Sequence, residues 1–243
     1  MSGFAGKRVL VTGGGSGIGR GVARAFAQMG ADVTVAGRRL EALEETSMGR
    51  MTVRQADVTD EAAVADLFDR PYDIVVANAG GGQAAKLVDT SLDAWNQTLA
   101  VTLTGVFLTF REGLREMPKG GRLIAIGSTA SLKGGANISA YVAAKHGVLG
   151  LVRSVAHEVA KKGITCNAVC PGFVDTDMAA TASKGVQARL GITAEEAEAM
   201  LVASNPIGRL ISVDEVVHAV LYLASPEAAM VNGHALSLSG GEI

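Results

Sequence analysis

Tyr141 and Lys145 stand four residues apart in the stretch SAYVAAKHG. On a helix that spacing puts both side chains on one face, with Cβ atoms about 5–6 Å apart. In a chain only 4% aromatic, a phenol beside an ammonium in an apolar stretch suggests proton transfer. A neighbouring cation favours the phenolate, so the phenol can give up a proton and take it back. Ser128, at the end of the apolar run GRLIAIGS, adds a hydroxyl that could hold an oxygen against the phenol. A lone Tyr-x-x-x-Lys is ordinarily a surface pair. Its combination with Ser128 and a glycine-rich turn near the N-terminus carries the catalytic reading.

That turn is TGGGSGIG, Thr12 to Gly19, between the apolar run KRVLVT and the helical GVARAFAQMG. Gly13, Gly15, Gly17 and Gly19, with Ser16 and Ile18 among them, allow close backbone approach to a pyrophosphate. The helix that follows offers free N–H groups and the positive end of its dipole. The spacing of Gly13, Gly17 and Gly19 is G-x-x-x-G-x-G, without the Gly-Lys-Ser/Thr ending of a nucleoside triphosphatase loop, and a dinucleotide is the expected ligand. The second apolar run ends in Gly37-Arg38-Arg39, with no acidic residue there for a ribose 2′-OH. Forked, permanently charged guanidiniums suit a 2′-phosphate, so NADP(H) is favoured over NAD(H).

Residues so far apart must be brought together by a repeating architecture. Runs rich in Val, Ile and Leu occur at 7–12, 31–37, 51–58, 72–80, 121–128, 163–172 and 234–241. They are near-continuously apolar, as suits strands of a parallel sheet covered on both faces. Helical patterns at 17–29, 40–47, 61–69, 92–116, 141–161 and 213–224 alternate with them. The pattern predicts an α/β fold: a single-domain, Rossmann-type, doubly wound parallel sheet of seven strands spanning residues 1–243. Residues 177–209 break the rhythm and read as a helical pair inserted after a strand end, in position to form a lid or simply to pack over one edge of the sheet.

Composition narrows the partners. Net charge is −2, with no long basic run, which argues against nucleic acid or an anionic membrane and for a small-molecule partner. No apolar run approaches the roughly 18 residues of a membrane span, and the N-terminal apolar stretch is short for a signal peptide, so a cytoplasmic location is expected. Cys166 and Cys170 read as small fillers of a buried strand, and the four scattered histidines offer no metal-ligand spacing.

Taken together, T-G-x-x-x-G-I-G at 12–19, Asp57-Val58, Asn78-Ala79-Gly80, Ser128, Tyr141-x-x-x-Lys145, and Pro171-Gly172 with Thr176 resemble the short-chain dehydrogenase/reductase family, in order and over essentially the whole chain. The resemblance implies that Tyr141 is the acid/base, Lys145 its modulator and ribose anchor, and Ser128 the donor to the substrate oxygen. It implies cofactor contacts from the glycine turn, Arg38 and Arg39, Asp57 and Val58, Asn78 to Gly80, and Pro171, Gly172, Val174 and Thr176. Two positions depart. Thr102, in VTLTGVF, stands where the family usually has an asparagine serving a water relay from the lysine; a hydroxyl can hold a water but lacks the amide's acceptor and paired donors, so the relay is expected to be slower or rewired. Ser239 replaces a frequent acidic residue.

The family likeness points to a ketone/secondary-alcohol oxidoreductase acting on a 3-oxoacyl or 3-hydroxyacyl group. Sugar, steroid or cyclic alcohol oxidation, or a non-catalytic dinucleotide-binding regulator, are the alternatives. It also implies a homodimer or homotetramer. Lys133, Lys184 and Arg189 border the expected substrate region; they read first as solvated surface cations and second as partners for an anionic group.

Overall fold

The computed structural model describes residues 3–243. Seven strands form one sheet: β1 (Arg8–Thr12), β2 (Asp32–Gly37), β3 (Thr52–Gln55), β4 (Ile74–Ala77), β5 (Arg122–Ile126), β6 (Thr165–Pro171) and β7 (Ala235–Leu238). Their order is β3-β2-β1-β4-β5-β6-β7 and every pairing is parallel. The chain reaches the β3 edge, then crosses back to place β4 beside β1. A crevice opens at that reversal, outside the carboxyl ends of the strands.

The apolar runs of β1, β2, β4, β5 and β6 are continuous because these strands bury both of their faces, whereas the edge strands β3 and β7 are only partly covered. Val9, Val11, Val33, Val35, Ile74, Val76 and Ile124 face one layer. There they meet Val22 and Phe26 of α1 (Gly17–Gln28), Leu43 of α2 (Leu40–Ser47), and Val216 and Val220 of α9 (Val213–Ala224). Alternate residues, including Leu10, Val75, Leu123, Ala125, Cys166 and Cys170, face the other layer. That layer packs Val106 and Phe110 of α5 (Gly105–Arg115) beside Val148, Val152 and Val155 of α6 (Ser139–Val159). Each such fully buried aliphatic side chain contributes roughly 1.5–3 kcal/mol. Burial also pushes both thiols upward, Cys166 and Cys170 alike, keeping them protonated and inert.

Helix starts follow their capping chemistry. The side chain of Ser212 accepts from Glu215 N, and Glu215 reciprocates on Ser212 N, a reciprocal box that opens α9. Asp60 caps α3 (Glu61–Ala65) and Ser91 caps α4 (Leu92–Leu99). The long helix read at 92–116 is divided: α4 and α5 are joined by a π-helical turn, Ala100–Thr104. The helix read at 61–69 ends its α-helical part at Ala65 and continues as a 3₁₀ turn. Residues after β6 carry α7 (Asp177–Leu190) and α8 (Ala194–Val202) and no strand. Among the described residues, no helix is long and apolar enough to cross a membrane, and no cluster of His, Cys, Asp or Glu is arranged to hold a metal ion.

Candidate active site

The turn after β1 is shaped for contact with backbone alone. Gly13 has φ +65°, and a Cβ there would come within 2.7 Å of Asn78 Nδ2. Asn78 follows β4; its Nδ2 donates to the carbonyls of Thr12 (3.0 Å) and Gly13 (3.1 Å). In return Thr12 Oγ1 accepts from the backbone N–H groups of Asn78 (3.1 Å) and Ala79 (3.3 Å). The reversal of strand order is thus stitched from both sides, and Asn78-Ala79-Gly80 leave the sheet to do it.

Beyond the turn, Ser16 precedes α1 without its side chain capping that helix, which leaves the first-turn N–H groups of α1 without a side-chain acceptor. Its hydroxyl instead accepts from Arg39 Nη2 at 3.3 Å. Arg38 and Arg39 are exposed and neither enters an ion pair among the described residues. Asp57 accepts from Thr59 N (3.0 Å) and Thr59 Oγ1 (2.8 Å). The backbone bond from Thr59 is the main reason its carboxyl lies below the usual range, with Arg38 assisting. Val58 is buried against Gly105, the first residue of α5. Thr176, at the start of α7, stands over Gly17, where a Cβ would lie 3.1 Å from its methyl group. The residues expected to touch a dinucleotide therefore gather along the strand ends, and the cradle fits one: a left-handed glycine turn, a helix N-terminus without a side-chain cap, and the Arg39 guanidinium bonded to Ser16 of that turn, with Arg38 beside it in the chain.

The catalytic candidates stand one strand further along. Ser128 follows β5; its Oγ accepts from Ala130 N at 3.1 Å, and its own N–H donates to Ser131 Oγ at 3.2 Å. The Ser128 hydroxyl hydrogen has no partner among the described residues, so it is available to a substrate oxygen. Tyr141, half-buried, lies in the first turn of α6. Lys145 is only 4% exposed, and its Nζ sits 5.6 Å from the centroid of the Tyr141 ring. That ammonium donates to the carbonyl of Ile126 at 2.6 Å, which pins it to the end of β5.

Gly80 and Gly82 thread between these groups. A Cβ on Gly80 would lie 3.6 Å from Thr102 Oγ1 and 3.7 Å from Lys145 Nζ, and one on Gly82 would lie 3.3 Å from Tyr141 Cβ. Thr102 is fully buried in the π-helical turn. Its hydroxyl donates to Gly81 O (2.8 Å) and accepts from Gly81 N (3.0 Å). Its one hydrogen is committed to the glycine loop, so the side chain fastens that loop beneath Lys145 and has none left to donate to a water. Ser239 is likewise spent locally, on the backbone of Ile243.

Of the three cations expected to border the substrate, Lys184 and Arg189 are exposed on α7, whereas Lys133 is ion-paired with Glu242. Glu242 and the Gly81 backbone escaped the sequence reading. The run Gly80-Gly81-Gly82 was the one available signal for the latter. Nothing in the sequence near Glu242 points to Lys133.

A left-handed glycine turn at a strand reversal, with a serine, tyrosine and buried lysine gathered beside it, defines a nicotinamide-dinucleotide oxidoreductase. Comparison with known proteins narrows this. A family model described as Enoyl-(Acyl carrier protein) reductase matches residues 13–242. A putative ketoacyl reductase of Streptomyces coelicolor is 38% identical, over 96% of this chain and 95% of its own length. A D-beta-hydroxybutyrate dehydrogenase of Rhizobium meliloti is 34% identical, covering 97% and 98% respectively. Among solved structures, a variant of actinorhodin polyketide ketoreductase with NADPH superposes with a TM-score of 0.91 at 35% identity, covering 98% of this chain and 97% of that one. The chain belongs to the short-chain dehydrogenase/reductase family, in which its expected seven-stranded doubly wound fold is the shared architecture.

Proposed function

We propose that the protein interconverts a 3-oxoacyl-type ketone and its secondary alcohol, using NADP(H) in preference to NAD(H), with Tyr141 as acid/base. When bound, the nicotinamide supplies or accepts the hydride. The chain supplies the rest. Ser128 donates its free hydroxyl hydrogen to the carbonyl oxygen and holds it against Tyr141. Tyr141 gives its phenolic proton to that oxygen as negative charge develops, and recovers it in the oxidative direction. Lys145 stabilises the phenolate left behind. The observation that carries this reading is the buried Lys145 ammonium, anchored on Ile126 O and 5.6 Å from the phenol ring centroid.

The preference for NADP(H) is supported by the two unpaired guanidiniums of Arg38 and Arg39, the second already bonded to Ser16 at the glycine turn. Gly172, Val174 and Thr176 would border the nicotinamide end, with residues 177–209 as the lid of a one-domain protein. The relatives' names, ketoacyl reductase and hydroxybutyrate dehydrogenase, support a 3-oxygenated acyl substrate. Phe107 is 42% exposed on α5, a surface suited to a homodimer or homotetramer. We take the protein to be cytoplasmic and without nucleic-acid or membrane partners.

The test is consumption of NADPH with a 3-oxoacyl thioester, compared with NADH and with a cyclic ketone. Tyr141→Phe should lower turnover by about 10²–10⁴-fold while cofactor fluorescence still reports binding. Unimpaired turnover by that variant would overturn the mechanism.

A further inference from the structure

Gly80, Gly81 and Gly82 have no side chains to hold them, and glycine gives up more backbone freedom on ordering than any other residue. The loop is tied at both ends. Ala79 N–H donates to Thr12 Oγ1 at 3.3 Å, and Ala85 N–H donates to the carbonyl of Asn137 at 2.8 Å. Between those ties, Thr102 is the one hydrogen-bonding partner that residues 80–84 find among the described residues. Its single oxygen takes both polar groups of Gly81, donating to the carbonyl and accepting from the N–H. A hydroxyl can do this because it is donor and acceptor at once. The anchor is fully buried in the π-helical turn between α4 and α5, so it belongs to a packed helix and not to another loop.

The loop held in this way runs past both members of the reacting pair. Gly80 approaches the ammonium, since a Cβ there would stand 3.7 Å from Lys145 Nζ. Two residues on, Gly82 lies against the phenol: its Cβ would be 3.3 Å from Tyr141 Cβ and 3.4 Å from Cδ2. Backbone therefore supports one edge of the Tyr141 ring, which is half-buried and stands in the first turn of a helix without a side-chain cap. A cavity of about 140 Å³ opens beside Gly82, lined by Gln83, Thr98, Asn137, Ser139 and Ala140. Once released from Thr102, the loop has room to leave the ring.

We propose that Thr102 is a positioning residue for Tyr141: by clasping Gly81 it holds Gly82 against the phenol ring and keeps that ring in register with Lys145. The effect on rate rests on the carbonyl-reducing reading of the site. Thr102 acts through the loop backbone and carries no proton of the reaction.

Thr102→Val keeps the shape and removes both bonds, whereas Thr102→Ser keeps both. Thr102→Val should lower kcat for a 3-oxoacyl thioester by about 10–10²-fold, the scale of a misplaced reacting group, with KM for NADPH little changed, and Thr102→Ser should restore most of the rate. Gly82→Ala forces a carbon between Thr98 and Tyr141 while the bonds to Thr102 remain, and should lower kcat in the same way. In a Tyr141→Phe background Thr102→Val should cost nothing further, because the two residues act as one unit. Equal losses in both backgrounds, or a wild-type kcat in Thr102→Val, overturn the proposal. NMR of ring-labelled tyrosine makes the comparison without turnover: the chain has three tyrosines, and the Tyr141 signal is the one lost in Tyr141→Phe. That signal should shift or broaden in Thr102→Val and Gly82→Ala and stay in place in Thr102→Ser, while the signal of buried Tyr72 reports an intact fold. If the wild type reduces no ketone, the carbonyl-reducing reading fails, yet a displaced Tyr141 signal in Thr102→Val still supports the role of Thr102. An unmoved Tyr141 signal refutes that role separately.

Discussion

The turn after β1 and the loop after β5 leave the sheet at the same edge, and they are built in opposite ways. The first works by omission: at Gly13 an extra carbon would strike the Asn78 amide, so backbone alone faces outward. The second works by placement: Ser128, Tyr141 and Lys145 each project a polar atom, and only one of those atoms, Lys145 Nζ, is committed by donation to the protein itself. A binding seat for a constant ligand can be mostly backbone. A reacting centre needs side chains with a hydrogen to spare.

The contrast can be broken from either side. Removing an atom from the second region should spare the fold and damage the chemistry. Ser128→Ala is expected to cut kcat by about 10²–10³-fold, while losing one capping bond worth about 1 kcal/mol; steady-state rates and denaturant unfolding check both. Adding an atom to the first region should do the reverse. Gly13→Ala forces a left-handed alanine, costing about 1–2 kcal/mol, and pushes against Asn78, so stability falls and binding of the nicotinamide dinucleotide weakens by about tenfold. Unfolding curves and a fluorescence titration measure this, and wild-type binding by Gly13→Ala would erase the distinction.

The smallest effect should fall outside both regions, in their support. Glu215 is held at about 2 by the Arg209 guanidinium first, then by the Ser212 backbone. Its value is depressed in the folded state, so its contribution to stability is complete above the unfolded carboxylate value of about 4.3 and is lost as pH falls towards 2. Urea unfolding across that window should show Glu215→Gln less acid-sensitive than the wild type. Equal acid sensitivity would mean the bond to Arg209 is already broken in solution.

Local chemistry was legible wherever it decided the structure. The helix at 213–224 has the bounds its pattern gave, and Ser212 with Glu215 forms a capping box at its start, as Thr193 with Glu196 does for α8. Strand ends were overread: 72–80 shortens to 74–77 because Asn78 and Ala79 give their N–H groups to Thr12 instead of to a neighbouring strand. The break at Ala100–Thr104 carries no proline to announce it, and the bonds of Thr102 within it run to Gly81, a tertiary contact. Ser128, Tyr141 and Lys145 were visible as a set through their spacing, but the carbonyl of Ile126 that fixes Lys145 was not. The ion pair of Lys133 with Glu242 depends on two ends of the fold meeting, and no local pattern encodes that.

The stitching of Thr12 and Gly13 to Asn78 spans 66 and 65 residues of chain. A polypeptide emerging from the ribosome therefore has no finished nucleotide seat when its first glycines appear, and must wait for the fourth strand to be made and docked. The coenzyme can reward only chains that have already closed the middle of the sheet, so its stabilising influence falls on late assembly and not on the first steps of collapse.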